Sequence, residues 1–297
     1  MNRRKFVNSS LWASAGALHL ANTKPSPVYK YKLGYQLFSV NKDMNRDPFG
    51  TLVALKEMGY EDFEIYGFDA DAVTYYGHPA TQFKQRLDEM GLTCTSGHYG
   101  FAEYLDRPAD ELRTFVDQCI KGAETLNTPY ITWPWISEEQ RTLENYKKMA
   151  YKLNLIGEQI NAAGLGFSYH NHGFEFEDHD GDTCYDIIIR DTDADLVKLQ
   201  IDMYWVMHSS DQTPKDWVKK DQGRFVMWHI KDMDKITRDY TELGNGSIDY
   251  KTIMPIPEDS GLQYYYLEQG GNFAVSAMQS AATSAEYFKK HLQKLLP

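Results

Sequence analysis

The segment "GFSYHNHGFEFE", residues 166–177, sets two histidines two residues apart and then two carboxylates two residues apart. On an extended strand alternate side chains share a face, so His170 and His172 point together and Asn171 points away. Paired imidazoles can bind a metal, hold a substrate, or simply hydrogen-bond. Three more residues extend the pattern: Asp202 in "QIDMYW", His229 in "WHIKD" and Glu268 in "YLEQ" each follow an apolar, strand-like run. The successive gaps from His170 are 32, 27 and 39 residues, so each residue belongs to a separate supersecondary unit. Two imidazoles and two carboxylates make a mixed nitrogen and oxygen set suited to one divalent ion, Mn²⁺, Zn²⁺, Co²⁺ or Mg²⁺. Cys94, Cys119 and Cys184 are scattered and odd in number, which argues against a thiolate site or a disulfide framework. One strand-end histidine or carboxylate alone usually packs or caps a helix. Four in phase at consecutive strand ends point to a shared ligand.

Such groups meet only if the elements carrying them deliver their ends to one place. Strand-like runs occupy 33–39, 62–67, 92–100, 129–135, 166–172, 196–205, 224–232 and 262–270. Between them lie amphipathic stretches such as 48–58, 80–90, 107–126 and 138–163, several ending at a glycine ("EMGY", "EMGL", "AAGLG") as helix C-termini do. Strand starts recur about every thirty residues, the length of one βα unit. Eight such units predict a single (β/α)₈ TIM barrel over residues 30–297, with functional groups at the C-terminal strand ends. An open doubly wound sheet is the alternative, but no glycine-rich phosphate fingerprint follows any strand.

The 297 residues carry a net charge of −11 and are 42% hydrophobic, enough for a large core. A polyanion would meet repulsion, so no nucleic-acid partner is expected. The start, "MNRRKFVNSSLWASAGALHLA", opens on Arg3, Arg4 and Lys5 and runs into small, modestly apolar residues. Residues 1–21 are therefore expected to be an export signal of twin-arginine type, giving a periplasmic or otherwise exported protein; without a signal there, it would be cytoplasmic. Elsewhere no stretch approaches the roughly 20 apolar residues of a membrane span.

The chain resembles the sugar phosphate isomerase/epimerase group with xylose-isomerase-like barrels. The resemblance rests on "GYQLFSV", "GYEDFEIYG", "YHNHGFEF", "QIDMYW", "WHIKD" and "YLEQ", with "LGNGSIDY" (243–250) before the seventh helix. It implies one divalent ion held by Glu, Asp, His and Glu from strands five to eight, and Asp202, His229 and Glu268 match three of those positions. At the fourth this chain has His170, or a close neighbour, in place of Glu. "YHNH" is similar to the "HHH" run of the inosose dehydratase branch and of relatives acting on oxidised sugars. A neutral donor there leaves the ion more positive, which favours polarising a carbonyl.

The implied chemistry is abstraction of a proton next to a carbonyl of a sugar or keto-sugar. Returning the proton gives an isomer or epimer; losing a β-substituent makes the enzyme a lyase or dehydratase. Glu175 is the first candidate base, His172 a second ligand or an acid/base group, and Lys231 a contact for a substrate oxygen or a partner for a carboxylate. Glu64 and His98 are candidate sugar contacts. Trp133, Tyr204 and Trp205, with Tyr35 and Trp135, offer flat faces to a small-molecule carbohydrate. With no glycine-rich anion loop, a neutral sugar, keto-sugar or glycoside is favoured. A metal-dependent endonuclease would bring a basic face that this chain lacks. A non-catalytic sugar-binding barrel would have no need of the ligand set.

Overall fold

Eight short runs pair in chain order into a closed parallel barrel in the computed structural model, which describes residues 29–296. They are β1 (Gly34–Gln36), β2 (Asp62–Ile65), β3 (Thr93–His98), β4 (Tyr130–Trp133), β5 (Gly166–His170), β6 (Lys198–Asp202), β7 (Met227–Ile230) and β8 (Tyr264–Leu267). β8 closes onto β1. Each strand lies inside a run expected from the sequence. The expected export segment, residues 1–21, lies outside the described residues.

The main outer helices are α1 (Pro48–Glu57), α2 (Ala80–Met90), α3 (Ala109–Leu126), α4 (Leu143–Ala162), α5 (Cys184–Asp191), α6 (Pro214–Lys220), α7 (Pro257–Ser260) and α8 (Ala277–Tyr287). Local chemistry sets their ends. Thr142 and Thr183 accept backbone N–H bonds at the starts of α4 and α5. Thr213 and Asp216 form a reciprocal capping box on α6, with Pro214 just inside it. α2 stops at Gly91, whose left-handed φ of 66° suits a residue without Cβ.

Strand alternation sorts the side chains into two populations. Phe63, Ile131, Trp133, Phe167, Tyr169, Leu199, Ile201, Trp228 and Tyr265 are buried in the large apolar core that unites the strands with the helices. The opposite phase holds Gln36, Glu64, Ser96, Thr132, Ser168, His170, Gln200, Asp202 and His229, all buried. Barrel interiors are usually filled by branched apolar side chains. Here the filling is polar, so each group needs a partner. Ser96 and Thr132 hydroxyls meet at 3.0 Å, and those of Thr132 and Ser168 at 2.6 Å. A small apolar cluster of Tyr130, Val226, Met227 and Tyr266 lies apart from the main core.

The stretch "LGNGSIDY" has a local cause. The buried Asp232 carboxylate accepts backbone N–H groups from Met233 and Gly244, both at 2.8 Å, and from Gly246 and Ile248, both at 3.2 Å. A Cβ at Gly246 would lie 2.0 Å from Asp232 Oδ1, so only glycine fits there.

Arg224, buried just before β7, ties neighbouring units together. Its Nε donates to the Val197 carbonyl at 2.9 Å, and Nη1 donates to the Ile189 carbonyl at 3.0 Å and to Asp221 Oδ2 at 2.8 Å. Arg224→Met leaves those buried acceptors without a donor and should cost about 3 kcal/mol of stability. Urea unfolding followed by circular dichroism measures the loss; a change under about 0.5 kcal/mol would contradict the clamp.

Candidate active site

Glu64, on the inward phase of β2, lies at the floor of the barrel mouth with its carboxylate fully engaged. Oε2 accepts from Gln36 Nε2 of β1 at 2.6 Å and from His229 Nε2 of β7 at 2.6 Å, and lies 3.0 Å from His98 Nε2 of β3. Oε1 accepts from Gln200 Nε2 of β6 at 2.7 Å. Burial opposes its charge, but His98 and His229 hold Glu64 well below the usual carboxylate range. The expected role as a sugar contact is not what the geometry provides. Glu64 does not border the cavity; its lone pairs are spent on the residues around it.

His229 is clasped from both sides, with Nε2 on Glu64 and Nδ1 2.6 Å from Glu268 Oε2. Burial alone would lower its pKa, but Glu64 and Glu268 outweigh that and hold it at about 9. Asp202 Oδ2 lies 4.0 Å from His229 Nδ1 and 3.8 Å from His170 Nε2. Lys231 Nζ stands between the carboxylates, 2.6 Å from Asp202 Oδ2 and 2.7 Å from Glu268 Oε2. Burial would discharge this ammonium, yet Asp202 and Glu268 hold its pKa up, and Lys231 and His229 in turn hold Glu268 ionised.

The set fits a divalent ion. Ligand atoms of Asp202, His229 and Glu268 lie within 4.8 Å of one another, and so do those of His98, His170 and His229. His170 Nδ1 is buried without a partner, and burial first, then neighbouring histidines and Lys231, keep the ring neutral and free to coordinate. With Nε2 of His229 held on Glu64, Nδ1 would be left to coordinate, the orientation that a carboxylate behind a ligand histidine imposes. The four residues His170, Asp202, His229 and Glu268 would hold the ion. His98, expected to touch sugar, borders the cavity and also stands beside this set, its Nε2 2.9 Å from Gln200 Oε1.

Above the set opens a cavity of about 490 Å³ bordered by His98, His170, His172, Lys231 and Glu268 on its polar side, with Phe38, Tyr66, Tyr99, Pro134, Trp135 and Tyr240 as apolar walls. His172 reaches it as expected, with Nδ1 buried and unpartnered. Burial and the Lys231 charge hold this imidazole down at about 3, so it is neutral at physiological pH.

Three expected sugar contacts are elsewhere. Trp133 faces outward from β4 and stacks on Phe101, because Thr132 takes the inward position. Tyr204 is buried, donates to the Arg238 carbonyl at 3.0 Å and backs Tyr240. Trp205 packs beside His172, with ring centroids 5.7 Å apart, and does not border the cavity. Tyr35 packs on Tyr60 in the core, whereas Trp135 does reach the cavity. Gln36 and Gln200 were not singled out from sequence, although Gln200 lies two residues before Asp202 and therefore on its face.

The xylose isomerase-like TIM barrel family model matches residues 52–291. The chain belongs to that family. Among solved structures, a sugar phosphate isomerase/epimerase from Parabacteroides distasonis ATCC 8503 is similar at 24% identity with a TM-score of 0.77, over 92% of this chain and 97% of that one. IolI protein with a zinc atom is similar at 16% identity and a TM-score of 0.71, over 89% and 99%. The probable 3-DHS dehydratase AsbF of Bacillus anthracis, involved in petrobactin synthesis, is similar at 14% and 0.65, over 88% and 99%. No curated protein matches the chain. Among the described residues no helix is long and apolar enough to cross a membrane.

In this xylose isomerase-like barrel the expected base, Glu175, is not in the mouth. The strand ends at His170, and a 3₁₀ turn at Phe174–Phe176 breaks the alternation that would have aimed it inward. Its Oε1 accepts from the Tyr169 hydroxyl, on the outward face of β5, at 2.7 Å, and Oε2 accepts the His172 backbone N–H at 2.8 Å. Burial pushes this carboxyl up to about 8, so it is largely protonated at neutral pH. A carboxyl whose pKa is raised on folding binds a proton that the unfolded chain has released, so its effect on stability turns unfavourable as pH rises from about 4.5 to about 8. Glu175→Gln copies the protonated form. It should match the parent at pH 5 and exceed it by roughly 2–5 kcal/mol at pH 9. Urea melts at the two pH values read this directly; equal stability at both would contradict the buried acid.

Proposed function

We propose that the protein is a metal-dependent enzyme that abstracts a proton next to a carbonyl of a sugar or keto-sugar, in the manner of an isomerase or epimerase. The observation carrying this reading is the convergence of Asp202, His229 and Glu268, with His170 beside them, beneath a cavity of about 490 Å³. The zinc atom of the similar IolI protein adds support. A divalent ion held by these four residues supplies Lewis acidity, lowering the cost of negative charge on a carbonyl and its neighbouring hydroxyl.

The chain's own residues do the rest. Glu64 fixes the His229 ring, and its contacts to Gln36 and Gln200 keep that floor rigid. His172 is the neutral, unpartnered imidazole in the cavity and takes the carbon-bound proton. Charge developing on the substrate oxygens offsets the burial and the Lys231 field that otherwise disfavour its protonation. Lys231, once its carboxylates are balanced by another cation, turns its ammonium to a substrate oxygen. The aromatic walls exclude water from the carbanion-like state.

A second reading, elimination by a lyase or dehydratase, is favoured by His170, a neutral donor where an anionic one would damp the pull on the carbonyl. The same enediolate precedes both outcomes, and the fate of a β-substituent separates them. A sugar-binding barrel without catalysis would leave the convergent carboxylates without a purpose.

Metal analysis and proton NMR of ketoses and keto-sugars in D₂O test the reading. Exchange at one carbon should require metal. His172→Gln should slow it on the order of 10²–10⁴-fold with metal content unchanged. Asp202→Asn should lose metal and exchange together. Exchange that survives metal removal, or full activity in His172→Gln, would overturn the assignment.

We also propose that residues 1–21 direct export, on the strength of Arg3, Arg4 and Lys5 ahead of a small-residue stretch. N-terminal sequencing of the periplasmic fraction from a bacterial host should return a shortened chain. Intact Met1 on protein confined to the cytoplasm would contradict it.

A further inference from the structure

The cavity is larger and more apolar than its ligand set alone explains. Its volume, about 490 Å³, falls in the range that encloses drug-sized ligands. Among the described residues the exposed aromatic side chains are Phe38, Trp135 and Tyr151, and two of these three border this cavity. Phe38 is 47% exposed and Trp135 43%, and both rings border the same cavity, where a bound ligand can cover them together. Phe38 follows β1 and Trp135 follows β4, three steps apart around an eight-strand barrel, so the two rings reach the one cavity from separate loops.

Both rings are held in place. The Phe38 N–H donates to Gln36 Oε1 at 3.0 Å, and Gln36 is itself anchored on Glu64. The Phe38 ring packs edge-on against Tyr66, centroids 5.3 Å apart. The Trp135 carbonyl accepts from the buried Trp133 indole at 2.9 Å, which fixes its backbone. Preorganised aromatic faces are what a rigid ring binds with little entropic loss.

Charge narrows the ligand further. Among the described residues Lys231 is the one Lys or Arg bordering the cavity, and once the ion is bound the proposed reaction engages its ammonium at the reacting sugar's own oxygen. Arg141 packs on Trp135 and Phe174, with its guanidinium 5.9 Å and 4.0 Å from those rings, and does not border the cavity. Among the described residues no second cation borders the cavity to hold a phosphate on a further unit.

We infer that Phe38 and Trp135 form a clamp for the second, uncharged unit of a glycoside, a flat ring linked to the sugar that sits over the histidines. This rests on the reading of the cavity as a sugar site. The substrate is thus a neutral keto-glycoside rather than a free sugar or a sugar phosphate, and the clamp residues set that preference. The ring over the histidines carries the carbonyl that the proposed reaction needs.

Isothermal titration of the full-length, Mn²⁺-loaded protein with phenyl glucoside, cellobiose, glucose and glucose 6-phosphate tests it. Phenyl glucoside or cellobiose should bind about tenfold tighter than glucose, the effect of one good stacking contact. The better of the two identifies the second unit as an aryl group or a second sugar. Trp135→Ala and Phe38→Ala should each bring that affinity down toward the value for glucose, with melting curves confirming that they fold. Equal binding of glycosides and glucose, tightest binding of the phosphate, no detectable glycoside binding, or indifference to both substitutions would overturn the clamp. Metal-dependent exchange on small ketoses reads the chemistry separately, so the clamp can fail while the proposed reaction stands.

Discussion

A carboxylate buried on the barrel axis is the constraint from which the site follows. Glu64 is cut off from water, and an unpaired charge there would cost several kcal/mol. Its charge is balanced only because β1, β3, β6 and β7 each bring a donor-bearing side chain to it: Gln36, His98, Gln200 and His229. That demand sets the register of the polar interior and the orientation of His229. The remaining nitrogen of His229 then faces Glu268, with Asp202 and Lys231 completing a tight group of alternating charge. A barrel filled with branched aliphatics would be easier to stabilise, but it could not present ionised groups at a dry floor. Burial strengthens each electrostatic contact there, and the cost of an imperfect one rises equally.

The mouth is built on a different principle. The inner phase of the strands ends in hydrogen-bonded polar groups, whereas the loops above supply aromatic walls from Phe38, Tyr66, Trp135 and Tyr240. Those loops are not free coils. Asp232 gathers four backbone N–H groups of the segment 233–248, and Gln36 and Trp133 anchor the backbone under Phe38 and Trp135. The core thus reaches outward through single hydrogen bonds to shape the rim, coupling the polar floor to the aromatic walls of the cavity. Within one family fold, such rim residues are free to differ while the floor keeps its geometry.

Much of this was legible in the chain itself. Apolar runs about thirty residues apart prescribe a (β/α)₈ barrel, because each strand must be buried on both faces and each helix on one. A period of two then puts His170, Asp202 and His229 on the inner face, with Glu268 just past the end of β8, and no knowledge of the neighbours is needed for that. His98 and His172 followed from the same rule. Gln36 and Gln200 obeyed it too, but an amide carries no obvious chemistry until a buried carboxylate appears opposite it.

Tertiary structure decided what lies past the strand ends and how deep each group sits. Glu175 follows two histidines in the favourable phase, yet the chain turns at Phe174–Phe176 and delivers its carboxyl to Tyr169 behind the barrel wall. Trp133 and Trp135 are equal candidates by composition; the inward Thr132 sends the first to the core, and the turn after β4 brings the second to the cavity. Glu64 and Glu268 are both carboxylates at the inner face, and only the closed barrel makes one the support of a histidine and the other a member of the set that would hold an ion. Alternation is a property of the extended backbone, so sequence determines it wherever a strand persists. Depth, loop direction and charge pairing arise from residues far apart in the chain, 165 positions for His229 and Glu64, and they exist only once the barrel has closed.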